Sequence, residues 1–389
     1  MFKLKDFFGN PFFVYVIGWS IVLIVYTLDW SDLYPKLETN LIAFLVSTFI
    51  ICFFFGFKLI DKCKFYKLKN AEIDYYDKIV KYEKIVWLLF ILNCIFSRSV
   101  PLFSYIFHIG DMGAYKNFAI PILHTIIINV NSLLFLISSY CYFCVEKRNN
   151  KFLKLLLVSM LIPLLTFNRA ELLFMLFGFF ICFIIVKFNF KILIQLFIYF
   201  IAIMYAFGFL GNLRCDDLSG KYIEAVGEAN NNFYKSAVPN EFFWGYIYMS
   251  AQIANTQKTI NLKKTDDSDF AGLMLECVTP QLISKHLIDK RSDASHYRVK
   301  EVLTAESIYL TPYMLYGYTG MWIVFISMML CFITSLSVVR YNSIVRIPLV
   351  CLLSTMSFFS IFTNTLVFSA FVPQLILCFL LRNKIDVRK

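Results

Sequence analysis

Residues 152–187 read FLKLLLVSMLIPLLTFNRAELLFMLFGFFICFIIVK, and the way this run divides decides the fold. As one helix it would be roughly 50 Å long at 1.5 Å per residue, against a hydrocarbon core of about 30 Å. Its middle, Asn168-Arg169-Ala170-Glu171, is polar. Two short helices, 152–167 and 171–187, joined by a tight turn, fit better. This division makes the number of crossings even, which puts both ends of the chain on one side.

The rest of the chain has the same texture. Apolar runs cover 11–28, 40–60, 84–107, 118–145, 191–211, 318–339, 346–362 and 365–381, the last two joined by a turn near Thr363-Asn364. With the central hairpin they make about ten membrane-spanning helices. Hydrophobic residues are 59% of the chain and charged residues 16%, against about 25% charged in a soluble domain. The mean hydropathy of +0.67 cannot be hidden inside a soluble fold of this size. The beginning, Met1-Phe-Lys-Leu-Lys and then the run 11–28, is similar to a signal peptide, but Leu28-Asp29-Trp30 is a poor cleavage site. The expectation is an uncleaved first helix.

Lysine and arginine orient the helices. With the N-terminus in the cytoplasm, the inner segments are 1–10, 58–84, 147–154, 187–191, 340–346 and 382–389, and all are basic. The outer segments 29–39, 167–170 and 363–365 carry little or no basic excess. The net charge of +11 is therefore a matter of topology, and nucleic acid is not an expected partner. Three regions follow: seven helices in 1–211, a large external loop over 212–305, and an interfacial segment with three more helices in 306–389. Within the loop, 242–260 and 270–288 are partly apolar and read as helices lying on the membrane surface. Cys215 and Cys277 lie in this loop, where a disulfide and two separate thiols are both open. No Cys or His cluster has metal-ligand spacing. Asp266-Asp267-Ser-Asp269 reads as a solvated acidic run.

Charged residues at membrane depth are costly and usually functional. Arg98 precedes Pro101, which breaks its apolar run. Arg169 sits in the central turn, beside Glu171 as a functional group or as one half of a surface pair. Arg214 follows the seventh helix, next to Asp216 and Asp217. Arginine stays charged and offers a planar fork that matches phosphate oxygens. Several arginines at one membrane face suggest a phosphorylated lipid headgroup. Farther on, His296 and Arg298 lie close to Glu306 in sequence, and Glu306, Tyr309, Tyr313 and Tyr316 fall at helical spacing. Glu306 or His296 would act as general base; Tyr309 and Tyr313 would pack on a sugar or belong to an interfacial aromatic belt.

Several of these features together resemble the Wzy-type O-antigen and oligosaccharide repeat-unit polymerases of bacterial inner membranes. They are the many helices, the large loop late in the chain, Asn168-Arg169-Ala170-Glu171, Gly211-Asn-Leu-Arg214, and Glu306-Ser-Ile-Tyr309 leading into Tyr316-Gly317-Tyr318-Thr-Gly320. Thr304-Ala-Glu306 is a loose version of the family pattern. The resemblance implies a GT-C-like membrane glycosyltransferase that needs no metal and no cofactor. Its substrate would be an undecaprenyl-pyrophosphate-linked oligosaccharide, and a chain-length regulator and a flippase would work beside it. It further implies that Arg98, Arg169, Arg214 and Arg298 hold pyrophosphate while Glu306 or His296 deprotonates the acceptor hydroxyl. A polysaccharide flippase, an O-antigen ligase and a glycan-modifying membrane acyltransferase are the rival classes. Paired halves with matched interrupted helices, expected of a flippase, are not visible.

Overall fold

The computed structural model describes residues 4–64, 76–107, 118–144, 150–187, 189–215, 217, 219–263, 268–288, 292–341 and 343–382. Among them the regular structure is helical, with only an isolated bridge between Ser31 and Ala229. The principal helices are α1 (Pro11–Tyr26), α2 (Thr39–Lys58), α3 (Tyr76–Ser97), α4 (Pro101–Ile106), α5 (Pro121–Cys144), α6 (Asn150–Leu165), α7 (Arg169–Lys187), α8 (Phe190–Arg214), α9 (Glu241–Leu262), α10 (Leu310–Val338), α11 (Arg346–Phe359) and α12 (Val372–Leu381). Four helices, Thr39–Lys58, Ile122–Cys144, Arg169–Lys187 and Leu310–Val338, are long and apolar enough to cross a membrane. Exposed Ile50, Phe54, Leu88, Ile95, Leu157 and Leu173 leave apolar surface on the outside of the bundle, as a protein solvated by lipid requires. Lys67, Lys69, Lys147, Arg148 and the tail 383–389 lie outside the described residues.

The run 152–187 is a hairpin of α6 and α7. Phe167 closes α6 at φ +57°, a left-handed position, while the amides of Phe167 and Asn168 return to the carbonyls of Leu164 and Pro163. Asn168 then starts α7, its Oδ1 accepting the Glu171 amide at 3.1 Å. A short polar side chain satisfies one of the donors that a helix start leaves unpaired.

Two other breaks interrupt the helices, the first where Pro101 in the sequence places it and the second within the segment read at continuous helical spacing. α3 ends at Ser97 and Pro101 opens α4, with Arg98 at φ +50° between them. Within α10, Tyr316 and Gly317 leave helical geometry and Gly317 adopts φ +58°, a conformation that suits a residue without Cβ. The expected span 365–381 is shorter than its hydropathy suggests, since only Val372–Leu381 is helical. Asn364 redirects the chain before it: its Oδ1 accepts the Leu366 amide and its Nδ2 donates to the Cys277 carbonyl at 2.9 Å.

Part of the region 212–305 packs into the helical bundle. α9, expected as a surface helix, is buried over most of its length and packs against α8, α1 and α10. Its hydroxyls do not oppose burial, because Ser250, Thr256 and Thr259 each donate to a carbonyl one turn back. Gly208 permits the contact with α8, since a Cβ there would collide with the Glu241 carbonyl. Residues 270–288 form short turns rather than one surface helix: Phe270–Leu273, a π-helical turn at Met274–Val278, and Gln281–Ser284. Asp269 caps the first of these through the Gly272 amide, so this part of the acidic run is structural; Asp266 and Asp267 lie outside the described residues. Cys215 and Cys277 are not bonded to each other.

The connections sort into two groups. Trp30 packs on Phe233 and Tyr246, Asp32 donates its amide to Glu228, and the Gln281 amide donates to Val367. These contacts join 29–38, 215–309 and 360–371. In a separate knot, Lys62 donates to Ser337 at 2.9 Å, and Arg346 donates to the carbonyls of Lys62, Leu336 and Val339.

Candidate active site

Asn255, in the middle of buried α9, organises the arm that precedes α10. Its Nδ2 donates to the carbonyls of Leu303 and Ala305, both at 2.9 Å, and its Oδ1 accepts the Val299 amide at 2.8 Å. The next residue, Thr256, shares a hydroxyl hydrogen bond of 2.8 Å with Ser307, and Lys258 donates to the Arg298 carbonyl at 2.7 Å. These bonds fold the arm back on itself and bring Arg298 to Glu306. Nη2 of Arg298 lies 2.9 Å from Oε1 of Glu306, with the two side chains 21% and 28% exposed. Nε of Arg298 is buried and has no hydrogen-bond partner among the described residues.

Residues 302–305, which lead into Glu306, bound a cleft of about 660 Å³ whose other side is formed by Arg214, Tyr222, Trp244 and Tyr248; Arg298 and Glu306 adjoin it along the arm but are not among its lining residues. Gly211 makes room for the indole of Trp244, whose Nε1 donates to Asn212 at 2.6 Å. Arg214 is exposed at the rim. The neighbouring Asp217 is not its partner. Asp217 accepts from the Ser219 hydroxyl and the Tyr222 amide, and these bonds hold its carboxyl below the usual carboxylate range. Asp216 lies outside the described residues. An exposed guanidinium, a half-buried carboxylate and aromatic walls together provide an anion contact, a proton acceptor and surfaces for a ring.

The remaining expected residues are dispersed. His296 is exposed in a single turn, Ser295–Tyr297. Nearby Asp293 is held low by hydrogen bonds from Ser295. Tyr309 does not share a helical face with Glu306, because α10 begins only at Leu310. Its ring is 1% exposed, enclosed by Trp19 and Phe44, and its hydroxyl lies 2.5 Å from that of Tyr15. Tyr313 is likewise buried, edge-on to Tyr318 at 5.2 Å. Both tyrosines belong to the core, and neither offers a face to a sugar. Arg98 is exposed ahead of α4. Tyr105 of α4 packs on Phe167, and the guanidinium of Arg169 stands 4.8 Å over that same ring. Arg169 and Glu171 do not pair, since Glu171 turns into the bundle to accept from Ser132.

Asn255 is the residue that sequence reading passes over. Its only signal is an amide at the centre of a run otherwise suited to burial. Asn255→Ala removes three hydrogen bonds and leaves two carbonyls and one amide unpaired. At about 1 kcal/mol net for each, the expected loss is about 3 kcal/mol. Denaturant unfolding of purified protein would read this loss, and limited proteolysis should cut faster within 292–309. An arm as resistant as wild type would refute the clamp. No family model, no curated protein and no solved structure matches this chain.

Proposed function

We propose that the chain is a membrane glycosyltransferase of the polysaccharide polymerase class. It transfers a growing glycan from undecaprenyl pyrophosphate to a new lipid-linked repeat unit at the periplasmic face of a bacterial inner membrane. The observation that carries this reading is the Arg298–Glu306 pair beside an aromatic cleft with Arg214 at its rim, at the end of the apolar helix α8. A lipid-borne substrate enters such a cleft from the bilayer without leaving its apolar tail in water. The sidedness of the contacts supports the ten-span arrangement with both termini inside. Segments expected outside touch one another, and those expected inside join in the Lys62–Arg346 knot.

Two arginine groups suit two lipid-linked substrates. Arg214 and Arg298 lie about the arm, and Arg98 and Arg169 belong to the region of α4 and the α6–α7 turn. Each group would take one pyrophosphate. Glu306 accepts the proton of the attacking hydroxyl, the glycosyl–phosphate bond breaks, and the arginines stabilise the charge left on undecaprenyl pyrophosphate. The energy resides in the bond that is broken, so no nucleotide is consumed.

A strain lacking the gene should show a single-repeat glycan band and no ladder on a lipopolysaccharide gel. Wild-type protein should restore the ladder and Arg214→Ala should not. An unchanged ladder in the deletion strain would refute the reading. Loss of the single-repeat band as well would favour the flippase, a reading to which carboxylates buried within the helices, Glu83 and Glu171, lend some weight.

A further inference from the structure

α7 carries a carboxylate into the bundle, and among the described residues no cation pairs with it. Glu171 is 2% exposed, and its carboxylate accepts from the Ser132 hydroxyl of α5. Arg169, two residues earlier, is held outside over the ring of Phe167. Glu171 lines a cleft of about 430 Å³ together with His124, Asn129, Asn168 and Ser369, and no lysine or arginine is among the residues lining it. Asn129 is 1% exposed. Its Nδ2 donates to the carbonyls of Thr125 at 2.7 Å and Ser369 at 3.0 Å, while its Oδ1 is buried with no partner among the described residues. The Nδ1 of His124 is in the same condition. A buried anion in a low-dielectric bundle needs a counter-charge, and a buried carbonyl oxygen needs a donor or a cation.

The ligand can be narrowed by charge and donor type. One carboxylate balances one positive charge. Among the described residues no three His, Cys, Asp or Glu side chains come together as a metal site, which does not suit a zinc-type ion. A carboxylate and an amide oxygen are hard donors, suited to hard cations. We infer that this cleft binds a small alkali-metal cation of the sodium class, held by the Glu171 carboxylate and Asn129 Oδ1. The cation neutralises the charge of Glu171 and ties the first turn of α7 to α5 and to the segment carrying Ser369. The inference does not depend on the glycosyltransferase reading.

The test is thermal unfolding of the full-length protein purified in detergent, titrated with NaCl at constant ionic strength against choline chloride. The unfolding temperature should rise with Na⁺ and saturate, since a ligand that binds only the folded state stabilises it by mass action. Glu171→Gln and Asn129→Ala should each shift the half-saturating Na⁺ concentration upward by at least about tenfold, as loss of a direct ligand does. If Glu171→Gln does not accumulate, Asn129→Ala carries the comparison. Equal unfolding temperatures in NaCl and choline chloride would overturn the inference, as would a Na⁺ response that Asn129→Ala retains. Stabilisation by acid with no Na⁺ response at any pH would also overturn it, by assigning the counter-charge to a proton.

Discussion

Glu306→Gln is expected to slow chain elongation by at least about 100-fold, the lower end of what a general base contributes. Glutamine keeps the shape and still offers an oxygen to Nη2 of Arg298, so the arm clamped by Asn255 should stay in place. What it loses is the capacity to take a proton. The ion pair itself could be the important feature, with Arg298 and Glu306 serving only to close the arm. The double variant Arg298→Glu/Glu306→Arg separates these roles. It restores an opposite-charge pair at the same two positions but removes the carboxylate from position 306. Elongation measured in membranes should remain as low in the double variant as in Glu306→Gln. Recovery to near wild type would make the pair structural and end the assignment of Glu306 as base. His296, the other candidate, is exposed and lies outside the ion pair, so His296→Ala should change the rate less than about threefold, within the range of ordinary surface changes.

Reading the sequence was most successful where a single physical length or a single residue type decides the outcome. The α6–α7 hairpin follows from comparing 36 residues with the thickness of a bilayer, and the break before α4 follows from Pro101. The burial of α9 is not legible in the sequence, because hydropathy treats Ser250, Asn255, Thr256 and Thr259 as reasons for exposure. Their partners are carbonyls within the helix or on the arm, and the arm could not be placed from sequence. The tyrosines failed differently. Tyr309 and Tyr313 fall at helical spacing, but Tyr309 precedes α10, and spacing cannot say whether a ring meets a ligand or, as Tyr309 does, Trp19 and Phe44. The separation of Arg169 from Glu171 was not read from the sequence, because with 168–170 taken as a turn a surface pair stayed open. Residues two apart on a helix are about 200° apart around its axis, so once Asn168 is taken as the cap, the arginine and the glutamate must face different ways.

Arg346→Met should cost at least about 3 kcal/mol, because it leaves three carbonyls without their charged donor at about 1–3 kcal/mol each. Arg346 is 2% exposed. Its Nη1 donates at 2.7 Å to the carbonyls of both Leu336 and Val339, its Nε donates to Lys62 at 3.1 Å, and its Nη2 reaches the same Lys62 carbonyl. Leu336 belongs to the last turn of α10 and Val339 follows that helix, so the guanidinium supplies positive charge where unpaired carbonyls accumulate. Lys62 lies in the turn after α2, and the ring of Tyr341 stacks 4.8 Å from the guanidinium. One side chain thus ties together the ends of two helices and the start of α11. Arg346→Lys keeps the charge, yet a single ammonium on a flexible stem cannot reproduce the planar fork that spans these carbonyls. Unfolding in denaturant should therefore rank wild type above Lys and Lys above Met. A Lys variant as stable as wild type would show that charge alone suffices and would remove the geometric role of the fork. Because the proposed active site is built from the opposite group of segments, the Lys variant should lose stability while the rate per folded molecule stays near wild type; a matching fall in that rate would mean that the two ends of the bundle are coupled.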